Sequence, residues 1–212
     1  MPFARKPRPE VPHPNEKRYM NTIPIIIPET LKVTQEQFVQ LAAANRDVRL
    51  ERTATGELII MPPTGGETGK RNIDIEGQLW FWNRQAKLGV AFDSSTAFQL
   101  PNGADRSPDA AWVSQERWDV LTPEQQETFP PLCPDFIIEL RSKSDNMEPL
   151  RKKMQEFLEN GLCLGWLIDA KNKTVEIYRP NQEVEVLESP VSLSGEEVLP
   201  GFVLDLQVVF GG

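Results

Sequence analysis

The segment Asp135-Phe136-Ile137-Ile138-Glu139-Leu140-Arg141 constrains the fold more than any other stretch of this chain. It has the composition of a strand, and strand side chains alternate between faces. Ile137, Glu139 and Arg141 therefore point one way, and Phe136, Ile138 and Leu140 the other. An acid among residues that favour burial is costly unless a metal or a cation compensates it. Upstream, Ser107-Pro108-Asp109 opens a second apolar strand with another acid. Together the two segments offer carboxylates for a divalent metal, the arrangement of a metal-dependent phosphodiesterase.

A helix with Arg151-Lys152-Lys153 near its start follows the first segment. At about 100° per residue, Leu150, Met154, Phe157 and Leu158 make one apolar stripe, with Lys153 on its border and Lys152 opposite. Lys153 can thus face the sheet and stabilise an attacking hydroxide or a scissile phosphate. The competing reading is a lysine that snorkels from an amphipathic helix. For Asp109 and Glu139 the structural alternatives are a strand-start acid and a buried ion pair with Arg141.

The only histidine, His13, lies between prolines near the start. Its isolation excludes Ser-His-Asp and Cys-His catalysis and histidine-ligated zinc. A metal here must take oxygen ligands, which suits Mg²⁺ or Mn²⁺. The net charge of -8 excludes nucleic-acid binding by bulk electrostatics and leaves only a local basic patch for DNA. Cys133 and Cys163 lie in or beside apolar runs and are expected to be buried free thiols. No apolar run approaches the roughly 20 residues that span a bilayer, so a cytoplasmic protein without membrane contact is expected.

At 212 residues the chain suits one domain and a tail. Residues 1–22, with five prolines and five Lys or Arg, make a basic arm without a core, and 23–212 a single domain. Residues 23–27 suit a short strand. Thr34 and Gln37 form a capping box for a helix running toward Asn45. Residues 49–52 and 57–61 flank a glycine-containing hairpin turn, and 67–87 should be the longest helix, ended by Gly89. Strands are expected over 90–100, 109–113, 134–141, 163–168 and 174–178, a helix over 146–160, and edge strands from 184 onward, with a turn at Pro200-Gly201. The order predicts an α/β (α+β) layer fold, a mixed sheet flanked by helices with additional N- and C-terminal strands.

Trp80, Phe81 and Trp82 are expected in the core between helix and sheet. Lys70, Arg71, Arg84 and Lys87 suit a solvated helix face. Gly65-Gly66-Glu67-Thr68-Gly69-Lys70 falls one residue short of a phosphate loop and has Arg71 where Ser or Thr is required, so no nucleotide cofactor is expected.

The order Pro108-Asp109, then Glu139-Leu140-Arg141, resembles the PD-(D/E)XK nuclease superfamily, in which a lysine follows the second acid by two positions. Arg141 stands there instead, and an arginine does not readily act as a base. The Uma-two family of putative restriction endonucleases is similar in displacing that lysine onto the next helix, as in Lys153-Met154-Gln155-Glu156-Phe157 leading to Asn160-Gly161. Further stretches are similar as well: Leu50-Glu51-Arg52, Gly56 to Met61, Pro63 to Gly66, Leu100 to Ala104, Gly165 to Asp169 and Leu199 to Phe202. The resemblance covers roughly residues 30–210.

The resemblance implies a restriction-endonuclease-like core and a Mg²⁺-dependent attack of water on a DNA phosphodiester. It implies Asp109 and Glu139 as metal ligands and Lys153 as the catalytic cation. Glu51 is a weaker candidate for a further carboxylate. Arg141 is a weaker candidate for contacting phosphate or pairing with Glu139. A homodimer would suit the cutting of both strands of a duplex. The alternative is a noncatalytic nucleic-acid-binding or interaction module that retains the fold.

Overall fold

The computed structural model describes residues 30–143 and 145–211. The expected arm and the strand at 23–27 lie outside the described residues. Helix α1 (Gln35–Ala44) opens with the Thr34–Gln37 capping box. Strands β1 (Arg49–Arg52) and β2 (Leu58–Met61) form the hairpin, and α2 (Gly66–Ala86) follows as the longest helix. Then come β3 (Gly89–Phe92), β4 (Phe98–Gln99), β5 (Asp105–Arg106) and β6 (Ala110–Ser114). Two five-residue helices, α3 (Gln115–Asp119) and α4 (Pro123–Glu127), lead to β7 (Phe136–Leu140). Helix α5 (Met147–Glu159) connects to β8 (Leu164–Asp169) and β9 (Thr174–Tyr178). The chain closes with β10 (Glu185–Glu188), β11 (Ser192–Ser194), β12 (Val203–Asp205) and α6 (Leu206–Phe210).

The central sheet runs β10-β9-β8-β7-β6-β3. Only β7 and β8 are parallel within it, which requires the crossover that α5 supplies. Both faces are covered, and β7 shows this in its alternation. Phe136, Ile138 and Leu140 enter a core shared with Ile75, Leu79 and Phe202, while Ile137 enters a second core with Met154 and Phe157 of α5. Glu139 therefore points to the α5 side. Gly165 of β8 lets the helix come close, because a Cβ there would lie 2.6 Å from Met154 Cε and 2.8 Å from Leu162 Cδ2.

A smaller sheet, β2-β1-β5-β4, stands beside this layer. A single register pair, Arg52 with Asp105, joins β1 to β5. The buried ion pair between these residues, 2.8 Å long, reinforces the join, and Gln35 of α1 donates to the same carboxylate at 2.9 Å. From β5 the chain passes through Ser107-Pro108-Asp109 into β6, so the two sheets meet at that segment.

Several expectations are corrected. Residues 90–100 form two strands, because Asp93 Oδ1 accepts from Ser95 N, Ser95 Oγ and Thr96 Oγ1 and turns the chain. Trp80 and Phe81 are 55% and 62% exposed, and only Trp82 packs on the core, against Trp112 and Phe202. Both cysteines are free, but only Cys133 is buried. The glycine-rich stretch at 65–70 opens α2, with Gly65 as an N-cap lacking a side-chain cap.

Candidate active site

Glu139 reaches into a cleft of about 1330 Å³ between the β1–β2 hairpin, the start of α2 and the N-terminal part of α5. Asp109, Glu51 and Lys153 line the same cleft. Glu51, Glu139 and Lys153 are 3%, 4% and 9% exposed. The buried face of α5 carries Met154 and Phe157 into the core, and Lys153, one step round the helix, is carried with them over β7. Its ammonium lies 2.7 Å from Glu139 Oε1 and 2.8 Å from Glu51 Oε1, and it donates to the Ser107 carbonyl at 3.0 Å. The contact with Glu139 is an ion pair rather than an aligned hydrogen bond, and Oε1 of that residue has no hydrogen-bonded partner among the described residues.

Asp109 stands at the mouth of β6. Its Oδ2 accepts from Leu140 N at 2.8 Å, and its Oδ1 has only a long 3.5 Å contact from Asn72 Nδ2 of α2. The carboxylate is thus held next to β7 at the residue following Glu139. Glu51 is more fully engaged. It accepts from Ser107 N at 3.0 Å and pairs with Arg106 at 3.1 Å, and Arg106 in turn pairs with Glu156 at 2.6 Å.

These contacts shift the titrations in different directions. Burial pushes Glu139 up; Lys153 opposes this, but the negative charges of Asp109 and Glu51 add to it, and the carboxyl stands at about 8. Burial also raises Asp109, against the pull of the Leu140 amide, Lys153 and Arg49. Glu51 goes the other way, because Lys153 and Arg106 outweigh its burial. Lys153 is held above the ordinary lysine range, since Glu139 and Glu51 more than offset its own desolvation. The Lys153 and Glu139 shifts agree in sign with a site that has more negative than positive charge.

A divalent ion would offset that excess. Among the described residues no three His, Cys, Asp or Glu side chains surround one metal position; Asp109 and Glu139, on the lining of the same cleft, are the two carboxylates that would be offered to an ion there. Both are hard oxygen donors, the set that Mg²⁺ and Mn²⁺ prefer when water and phosphate complete the coordination. Glu51 is committed to Lys153, Arg106 and Ser107, which makes it a support for the lysine.

Arg141 requires a correction. Its guanidinium is held by Asp169 at 2.6 Å and donates to the Asp145 carbonyl, so it does not pair with Glu139. The strand ends at Leu140, and the alternation that would have placed Arg141 beside Glu139 ends with it. Asp135 lies at the far end of β7, tied to Ser114 N and Arg117. Asn72, Arg106 and Arg49 also belong to the site's surroundings, although sequence reasoning did not single them out. For Arg49 a signal existed, because it lies two residues before Glu51 on a strand and so shares its face. A smaller, more open hollow of about 430 Å³ lies between α5 and the β9–β10 edge. Its acid, Glu176, is already held by Arg151 and Tyr178.

Comparison with known proteins agrees with this architecture. No curated protein matches the sequence. Among solved structures, a protein described as a putative nuclease belonging to DUF820, from Anabaena variabilis ATCC 29413, superposes with a TM-score of 0.71 at 22% identity, over 84% of this chain and 97% of that one. At that identity the likeness establishes the shared fold. Residues 35–207 match the Uma2 family, described as putative restriction endonuclease, and the chain belongs to that family.

Proposed function

We propose that the protein is a Mg²⁺-dependent endonuclease that hydrolyses DNA phosphodiester bonds at Asp109, Glu139 and Lys153. One observation carries the reading: two buried-side carboxylates and one ammonium, contributed by β7, by α5 and by the segment entering β6, converge at the floor of a single open cleft. A divalent ion held by Asp109 and Glu139 supplies Lewis-acid polarisation of the phosphoryl oxygen and lowers the pKa of water. Water attacks phosphorus and gives up a proton to solvent, the bond to the leaving sugar oxygen breaks, and that oxygen takes up a proton from solvent. Lys153 stays protonated, because Glu139 and Glu51 raise its pKa, and so its role is to stabilise charge on the phosphoryl group rather than to act as base. Glu51, Arg106 and the Ser107 carbonyl fix that ammonium in place.

The displaced lysine fits this scheme. Arg141 is occupied by Asp169, while the helix delivers a cation to the second acid across 2.7 Å. The test is cleavage of supercoiled, linear and branched DNA in Mg²⁺ and Mn²⁺ by the wild type, Glu139→Ala and Lys153→Met, with Mn²⁺ binding measured by calorimetry. Cutting by the wild type should fall at least about 100-fold in both variants. Mn²⁺ binding should fall only in Glu139→Ala. Binding of metal and DNA with no cutting by any form would mark the noncatalytic module instead. A homodimer accompanies the proposal, since one site cuts one strand, and sedimentation equilibrium measures it.

A further inference from the structure

Most partly buried arginines of the fold have an identified counterpart. Arg52 donates to Asp105, Gln35 and the carbonyls of Gly103 and Val33. Arg106 is shared by Glu51 and Glu156, and Arg141 is taken by Asp169. Arg49 differs. Its Nε and Nη2 are sealed from solvent without an acceptor, and the guanidinium makes no hydrogen bond or ion pair among the described residues. A sealed cationic nitrogen without a partner costs stability, so its presence calls for a ligand.

The position says which ligand. Arg49 and Glu51 share one face of β1, and both line the cleft. Arg49 is near enough to Asp109 for its charge to act on that carboxyl. Glu51 is already claimed by Lys153 and Arg106, so it does not serve Arg49. Nη1 is not among the sealed atoms, so it is the end of the guanidinium open to the cleft, where a charge-assisted donor suits a phosphate oxygen. We infer that Arg49 binds a backbone phosphate of the nucleic-acid strand lying over Asp109 and Glu139, and so positions that strand for attack. This inference rests on the nuclease reading and gives the hairpin wall a substrate-holding role that the two carboxylates and the lysine do not supply.

Arg49→Gln and Arg49→Lys test it. A labelled DNA duplex is titrated in Ca²⁺ by fluorescence anisotropy over a range of KCl, cleavage kinetics are measured in Mg²⁺, and melting is followed without DNA. Arg49→Gln should raise both Kd and KM about tenfold, and lower the slope of log affinity against log salt by about one. It should leave kcat within about threefold, and Arg49→Lys should recover part of the binding. The melting temperature of Arg49→Gln should equal or exceed that of the wild type, since an unpaired buried charge is removed. Unchanged affinity and salt slope in Arg49→Gln would overturn the inference while the nuclease reading stands. A fall in melting temperature that accompanies the loss of binding would also overturn it, marking Arg49 as structural. A wild type that neither binds nor cuts DNA would remove the reading and the inference together.

Discussion

Glu139 ties the stability of the protein to pH. Its carboxyl titrates at about 8 in the folded chain, above the ordinary glutamate value of 4.5. Between those values the folded state keeps a proton that the unfolded state has released. Stability contributed by Glu139 is therefore full below the unfolded value and is lost as pH rises toward 8. Asp105, Asp109 and Glu76 are also raised and add to the same slope. Lys153 is protonated in both states across this window, and Glu51, being lowered, acts only at acid pH. The melting temperature in chelator should fall from pH 5.5 to 8.5. Glu139→Gln should flatten the upper part of that fall, and Mn²⁺ should offset it in the wild type alone. A wild-type profile as flat as that of Glu139→Gln would refute this account. At this scale the sequence was informative where alternation applied: an acid inside an apolar strand marked Glu139, and helical geometry brought Lys153 to the sheet. It misled at Arg141, because strand alternation stops where the strand stops, and the sequence alone does not mark that end.

Secondary elements carry the site through how closely they pack, and two glycines separate packing from chemistry. A Cβ at Gly89 would lie 2.2 Å from the Val113 carbonyl oxygen and 2.6 Å from the Trp112 ring, neither of which can yield. Gly89→Ala, on the β3 edge remote from the cleft, should cost about 1–3 kcal/mol of stability by denaturant unfolding, with specific activity unchanged in the folded fraction. At Gly165 the obstructing atoms are the tips of Met154 and Leu162, which can move. Gly165→Ala should thus cost less stability, yet displace α5 and Lys153 and reduce cleavage more than Gly89→Ala does. Element type and order were legible because periodicity and caps report them, as at Thr34 and Gln37. Helix α4 was overlooked although Thr122, Pro123 and Gln125 carry its capping signal. Its five residues give periodicity too little length to register.

The whole molecule is acidic, and so is the cleft. Glu51, Glu57, Asp109, Glu139, Asp145, Glu156 and Glu159 line it against Arg49, Arg106, Lys143, Lys152 and Lys153. Two of those cations are already spent on Glu51, Glu139 and Glu156. A polyanion should therefore bind weakly without divalent ions and more tightly in Ca²⁺. With Arg49, Lys143 and Lys152 left to meet phosphates, the salt slope should be shallow, about -3 on a log–log plot. Filter binding across KCl concentrations measures both effects, and tight binding in chelator would contradict them. No helix among the described residues is long and apolar enough to cross a membrane. Global topology was legible as a layered mixture of helices and strands. The junction of the hairpin with β5 was not, since it arises from a single pairing of residues 53 positions apart in sequence, Arg52 and Asp105.

That junction makes the hairpin wall resemble a door hung on one pin. Arg52 and Asp105 form the pin, while Glu51 is the latch that fastens the wall to Ser107, Arg106 and Lys153. Closing the wall and setting the lysine are consequently a single event. A substitution of Glu51 would unfasten the door and loosen the lysine together, and amide hydrogen exchange in β1 and β2 would register the loss.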